Sequence, residues 1–290
     1  MNGIIIADKP AGWTSHDVVA KLRGALKIKR VGHGGTLDPM ATGVLPVFIG
    51  RATRAAEFCE SAEKEYTAGL RLGLVTDTQD VTGNTLSACE VSVSAKELAE
   101  MIPRFLGAQK QIPPMYSALK HEGKKLYELA RRGIEVPRAA RDIFISGLDV
   151  IKGGGNEFLL NIVCSKGTYI RTLCHDIGAA MGCGGTMSSL RRTRAGDFTI
   201  DMAHTLDEIL DAVSYQSAQS VMLPVDTVFM EYPAVTLSAK ETGICKNGAP
   251  CGAARLTDGK YRVYAPDGEF IMLGGVKDGE LRNIKGFYTI

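Results

Sequence analysis

Long apolar runs, paired metal ligands and nucleotide-binding loops are all missing from this 290-residue chain. No stretch approaches the ~20 apolar residues that a membrane-spanning helix needs. The run Ile4-Ile5-Ile6-Ala7 is too short for a signal peptide. The seven cysteines are scattered singly, without Cys-x-x-Cys and without a histidine pair at ligand spacing. That pattern gives no support to a metal site, and it fits small core thiols in a reducing, cytoplasmic setting better than a disulfide framework. There is no G-x-x-x-x-G-K-[ST], no G-x-G-x-x-G after a strand and no G-x-S-x-G elbow. Strong net charge is lacking too: the formal value is +2, so any nucleic-acid site must come from segregated charge.

The segregation is there. Residues 21–30 carry Lys21, Arg23, Lys27, Lys29 and Arg30 with no acid, and residues 104–141 carry nine Lys or Arg against three Glu. Residues 201–231 carry six acids and no Lys or Arg. At 45% hydrophobic and 23% charged, the rest is an ordinary globular composition, and the length suits one large and one small domain.

The stretch that organises the chain is Val31-Gly32-His33-Gly34-Gly35-Thr36-Leu37-Asp38-Pro39-Met40-Ala41-Thr42-Gly43-Val44-Leu45-Pro46. Its glycines allow positive φ or close approach, and Pro39 pushes Asp38 toward an extended conformation. The expected result is a tight loop presenting one carboxylate, anchored by a buried strand from Val44 to Ile49. The alternative is a Gly-Pro turn with a solvated Asp.

Other segments read in order. Residues 3–7 predict a strand; Ser15 is the expected N-cap of a helix burying Val18, Val19, Leu22 and Leu26. Residues 64–73 alternate like a strand, and residues 77–84 form a polar turn. Ser94 with Glu97 predicts a capped helix, weakened at Pro103. Residues 111–120 are expected to be extended, followed by a basic helix from Lys124 to Arg132. Phe158 to Cys164 predicts a strand, with a helix after Arg171 that stops near Gly182; Thr205 and Glu208 cap another helix. Beyond residue 231 short β-type runs alternate with turns, so residues 231–290 are expected to form a small all-β domain after a domain of residues 1–230.

Four groups could supply chemistry: Asp38, Tyr66, Tyr169 and Arg171. A guanidinium beside Asp38 would keep it ionised, as nucleophile or general base. Aromatic rings in basic surroundings suit an extruded nucleobase. Each also has a plainer reading: Tyr66 and Tyr169 as core aromatics, Arg171 as a structural ion pair, His33 as a turn residue.

The Gly32–Pro46 stretch resembles the signature loop of the TruB family of pseudouridine synthases. Further matches follow in the family's order: Asp8-Lys9-Pro10, Lys64-Glu65-Tyr66, Arg71-Leu72-Gly73 through Asp80, Pro113-Pro114-Met115-Tyr116-Ser117-Ala118-Leu119-Lys120, Cys164-Ser165-Lys166-Gly167-Thr168-Tyr169-Ile170-Arg171 and Leu190-Arg191-Arg192. The resemblance implies an α+β catalytic domain with a mixed, mainly antiparallel sheet core flanked by helices, and a small all-β C-terminal domain similar to the PUA module. It also implies isomerisation of uridine 55 in the tRNA T-loop, without cofactor or metal, by a cytoplasmic and monomeric protein.

By position, Asp38 would be the nucleophile, Tyr66 would stack on the flipped uracil and Arg171 would pair with Asp38. His33, Tyr169, Leu190, Lys9 and Lys64 would bind the substrate. Gly34 stands where the family usually has Thr, and only loop stiffness is expected to differ. The rival readings are a guide-RNA-dependent rRNA synthase subunit, a non-enzymatic tRNA-binding or folding protein, and an aspartyl phosphotransferase requiring magnesium.

Overall fold

A computed structural model describes residues 1–288 as two compact units. One comprises residues 1–38, 45–60 and 201–288; the other comprises residues 39–44 and 61–200. The architecture is α+β, as the resemblance implies. No helix among the described residues is long and apolar enough to cross a membrane.

In the first unit the strand Gly3–Lys9 pairs in parallel with His204–Thr205, and Val31–His33 runs antiparallel to the end of Thr42–Ile49. Ile4, Ile5 and Ile6 are consecutive and all buried, as in a strand covered on both faces. The helices Ser15–Leu26 and Leu206–Ser214 cover this layer, with Val18, Val19, Leu22, Leu206 and Ile209 in one core. The N-cap of the first helix is Thr14, not the expected Ser15. Thr14 and Asp17 form a reciprocal capping box, and this frees the buried Ser15 hydroxyl for another partner.

The C-terminal residues form a five-stranded sheet in the order Ala234–Thr236, Gly259–Tyr264, Phe270–Lys277, Glu280–Gly286, Cys251–Gly252. Its core includes Leu237, Tyr261, Val263, Ile271 and Leu281. It is not wholly β, because Ala239–Lys246 is helical. That helix starts at a Ser238/Glu241 capping box, but its apolar residues do not line up on one face, so periodicity did not announce it. Arg255 and the Ser238 amide hold the Glu241 carboxyl down at about 2.

The second unit is an antiparallel ladder in the order Gly185–Ala195, Lys64–Leu72, Glu157–Cys164, Arg141–Gly154, Gly107–Gln111. Lys64, Tyr66, Ala68, Leu70 and Leu72 are buried at every second position, and so are Phe158, Leu160, Ile162 and Cys164. The helix Ala95–Met101 is capped by Ser94 and Glu97, and gives way to a 3-10 turn at Ile102–Phe105, where Pro103 cannot donate.

The basic helix is shorter than expected, Leu126–Ala130. Lys124–Lys125 instead pairs with Lys120–His121 across Glu122-Gly123, both at positive φ as a two-residue hairpin turn requires. Cys59, Cys164, Cys174, Cys245 and Cys251 are buried thiols, and burial pushes Cys164 up to about 11 and Cys174 to about 12. Cys164 and Cys174 are packing residues.

One glycine closes the exit of the Asp38 loop. Gly43 has φ +100° beside Arg192 in a parallel pair, and a Cβ there would collide with the Arg192 carbonyl. Gly43→Ala is expected to lower unfolding stability by about 3 kcal/mol, from strain plus backbone displacement, read as a urea midpoint shift at unchanged slope.

Candidate active site

The first unit carries Lys9, His33 and Asp38. His33 ends its strand opposite Val47, and the next residue is pinned, since the Gly34 amide donates to the Pro46 carbonyl at 2.9 Å. Gly34 has no room for a side chain: a Cβ would sit 2.8 Å from Phe48 Cε2 and 3.0 Å from Cys59 Sγ. The position therefore excludes a larger residue in this packing.

Three residues on, the Leu37 amide donates to Ser15 Oγ at 2.8 Å, and Ser15 Oγ lies 3.2 Å from the Leu37 carbonyl, to which it donates. Leu37 itself is buried. The backbone is therefore fixed on both sides of a short solvent-reaching arc, and half-buried Asp38 follows directly after the second anchor. Lys9 is fully buried, with Nζ donating to the carbonyls of Pro10 at 2.9 Å and Trp13 at 2.6 Å. It holds the turn that delivers Thr14 and Ser15.

Lys64, Tyr66, Tyr169, Arg171 and Leu190 belong to the second unit. Tyr66 lies opposite Arg192 in the ladder, and Leu190 opposite Ala68. With side chains alternating across the pleat, Tyr66, Leu190 and Arg192 share one face. All three are buried, and Arg192 Nε donates to the Val44 carbonyl at 2.7 Å. Lys64, also buried, donates to the Ala62 carbonyl at 2.6 Å.

Tyr169 is the N-cap of the helix Ile170–Ala180. Gln111 grips its backbone twice: Oε1 accepts from the Tyr169 amide at 2.8 Å, and Nε2 donates to the Tyr169 carbonyl at 3.0 Å. A side-chain amide presents the same donor and acceptor as a peptide group, so Gln111 acts as one more strand partner. Sequence reasoning did not single it out, because a Gln before Ile-Pro-Pro carries no local signal.

Arg171 lies in the first turn of the helix and is buried, its guanidinium donating to the carbonyls of Thr78 at 2.9 Å and Tyr116 at 2.7 Å. Asp80 Oδ2 lies 3.7 Å from it. Asp80 is itself held by Thr82 N at 3.0 Å and by Thr78 Oγ1 at 3.0 Å. The polar turn 76–84 thus fixes Arg171 from one side, a role for Asp80 that its place in a turn-forming run did not reveal.

The first unit thus carries a carboxylate on a braced loop, and the second carries a buried guanidinium and a tyrosine on a sheet face. The fold is shared with protein chains of RNA-bound particles. With a TM-score of 0.75 and 25% identity, 99% of this chain superposes on 85% of a chain in an H/ACA RNP bound to a substrate RNA containing 2′-deoxyuridine. A chain of the archaeal box H/ACA sRNP Nop10–Cbf5 complex aligns with a TM-score of 0.73 at 25% identity, over 99% of this chain and 86% of that one.

The family is narrower. Residues 23–170 match the TruB family pseudouridylate synthase N-terminal domain, and residues 171–230 match the tRNA pseudouridylate synthase B C-terminal domain. The tRNA pseudouridine synthase B of Alkaliphilus oremlandii is 49% identical, covering 78% of this chain and 75% of its own. That of Clostridium kluyveri is 41% identical, covering 99% and 100%. This chain belongs to the TruB family of pseudouridylate synthases.

Ser15→Ala would leave the buried Leu37 amide without its acceptor. We expect a stability loss of about 1–3 kcal/mol by urea titration, together with a fall in kcat as the loop loosens.

Proposed function

We propose that this protein is an isomerase that converts uridine 55 in the T-loop of tRNA to pseudouridine, with Asp38 as the reacting carboxylate. The observation that carries this reading is the braced loop Gly34–Asp38, anchored at Gly34 and Leu37, in a chain whose relatives named tRNA pseudouridine synthase B reach 49% identity. The reaction breaks the bond between C1′ and N1, turns the uracil and rejoins it through C5. The C5 proton is lost and N1 gains one, so the product is an isomer and no redox group is needed.

Extruding the base costs a few kcal/mol, offset by stacking on Tyr66 and by the pre-formed loop. Arg171 is the cationic group that the family pattern assigns as partner to Asp38. Tyr169, Leu190 and His33 line the nucleotide, and Lys9 and Lys64 support the binding turn and strand through the carbonyls they cap. The exposed Lys21, Lys27, Lys29 and Arg30, with Lys120, Lys124, Arg131 and Arg132, provide cations for RNA phosphates. Residues 231–290 act as a PUA-like RNA-binding module, supported by their own five-stranded sheet and core. The protein works as a cytoplasmic monomer.

The fold is shared with chains of H/ACA ribonucleoprotein particles, so a role as a guide-RNA-dependent subunit is the second reading. Higher identity to the tRNA enzymes favours the first.

Asp38→Asn is expected to lower turnover by about 10⁴-fold or more while tRNA affinity stays near wild type. The purified chain should modify a bare T-stem-loop without guide RNA; dependence on a guide would select the second reading. Neutralising about six phosphates predicts a log–log salt slope of roughly −4 for binding, and a flat response would dismiss the basic clusters as the RNA contact.

A further inference from the structure

Between the loop and the C-terminal sheet stands the one-and-a-half-turn helix Ala56–Ser61, all but its last residue in the first unit. Its two sides do different things. On one side Cys59, buried, donates from Sγ to the Gly34 carbonyl at 3.6 Å and fills the space a Gly34 side chain would take. On the other, Phe58 meets Phe229 edge to face at 5.0 Å between centroids.

Phe229 in turn packs against Phe270 at 5.9 Å and Phe287 at 5.7 Å, and those two rings stack at 5.4 Å. Phe270 and Phe287 belong to the C-terminal sheet and its end. Two polar ties run alongside: Arg54 donates to the Gly286 carbonyl at 2.6 Å, and Lys285 pairs with Glu57 at 2.5 Å. The helix therefore touches Gly34 on one side and the aromatic cluster on the other, and close packing leaves little room between them to absorb a displacement.

We infer that Cys59 and Phe58 are positioning residues, through which the C-terminal sheet sets the placement of the loop carrying Asp38. The aromatic cluster of Phe58, Phe229, Phe270 and Phe287 is the far support, and Cys59 is the near one. The C-terminal residues thereby serve the chemical step as well as RNA binding. This inference rests on Asp38 being the reacting group, since otherwise loop placement would not reach the rate. The Gly34 amide, bonded to Pro46, and the Leu37 amide, bonded to Ser15, report the loop directly whatever Asp38 does.

The test uses the full chain with Phe229→Leu, Cys59→Ala and Cys59→Ser, each first shown folded by circular dichroism. Amide hydrogen exchange over residues 33–38 is followed beside kcat and KM on a T-stem-loop. Both Phe229→Leu and Cys59→Ala should speed exchange at Gly34 and Leu37 by about tenfold and lower kcat by about tenfold, with KM unchanged, since sub-ångström misplacement of a reacting group is costly. Cys59→Ser keeps the shape and the donor, and should restore both readouts. Unchanged exchange in Phe229→Leu would overturn the inference, as would a loss confined to KM. If Asp38→Asn retained turnover, the functional reading would fall instead, and the exchange result would still stand or fall by itself.

Discussion

A carboxylate on a loop is only as well placed as the backbone around it, and here that backbone hangs on the hydroxyl of Ser15. Because Thr14 takes the capping role, the next hydroxyl is left inside the protein, where it meets both the amide and the carbonyl of Leu37. A buried peptide group satisfied on both sides has no cheap alternative conformation. Asp38 follows that peptide, and its freedom is that of a side chain on a fixed main chain rather than that of a surface loop.

The same economy governs the buried cations. Lys9, Lys64, Arg171 and Arg192 are all buried, and each donates to backbone carbonyls. Removing such charges from water is expensive unless their donors are met, and carbonyls at turns and strand ends meet them, joined at Arg171 by the Asp80 carboxylate at 3.7 Å. Positive charge is thereby retained inside a chain of near-zero net charge. For a family that handles RNA, this arrangement combines structural fastening with a field suited to phosphates and to an ionised carboxylate.

In the C-terminal part, aromatic packing rather than charge dominates. Phe229 lies in the segment that leads into the last sheet, and Tyr264 donates to Asp226 at 2.5 Å in the same place. The connection is thus a packed joint, although its composition, rich in acids and free of Lys or Arg, resembles a solvated linker.

Local chemistry was legible where it was self-contained. Alternation announced Lys64–Leu72 and Glu157–Cys164, capping boxes announced the helices at Ser94 and Thr205, and the glycine-proline run announced the Asp38 loop, because each depends on residues a few positions apart. What escaped depended on distant partners or weak patterns. The cap moved from Ser15 to Thr14, a hairpin at Glu122-Gly123 shortened a helix, and Ala239–Lys246 lacked an apolar face. Sequence by itself determined the family, the tight loop that carries Asp38 and the order of elements, since motifs and periodicity are written in neighbouring residues. Tertiary structure alone decided that Gln111 grips Tyr169, that Asp80 steadies Arg171 and that Cys59 occupies the space beside Gly34. Those contacts join residues 25 to 91 positions apart, and no local propensity encodes which of them will meet.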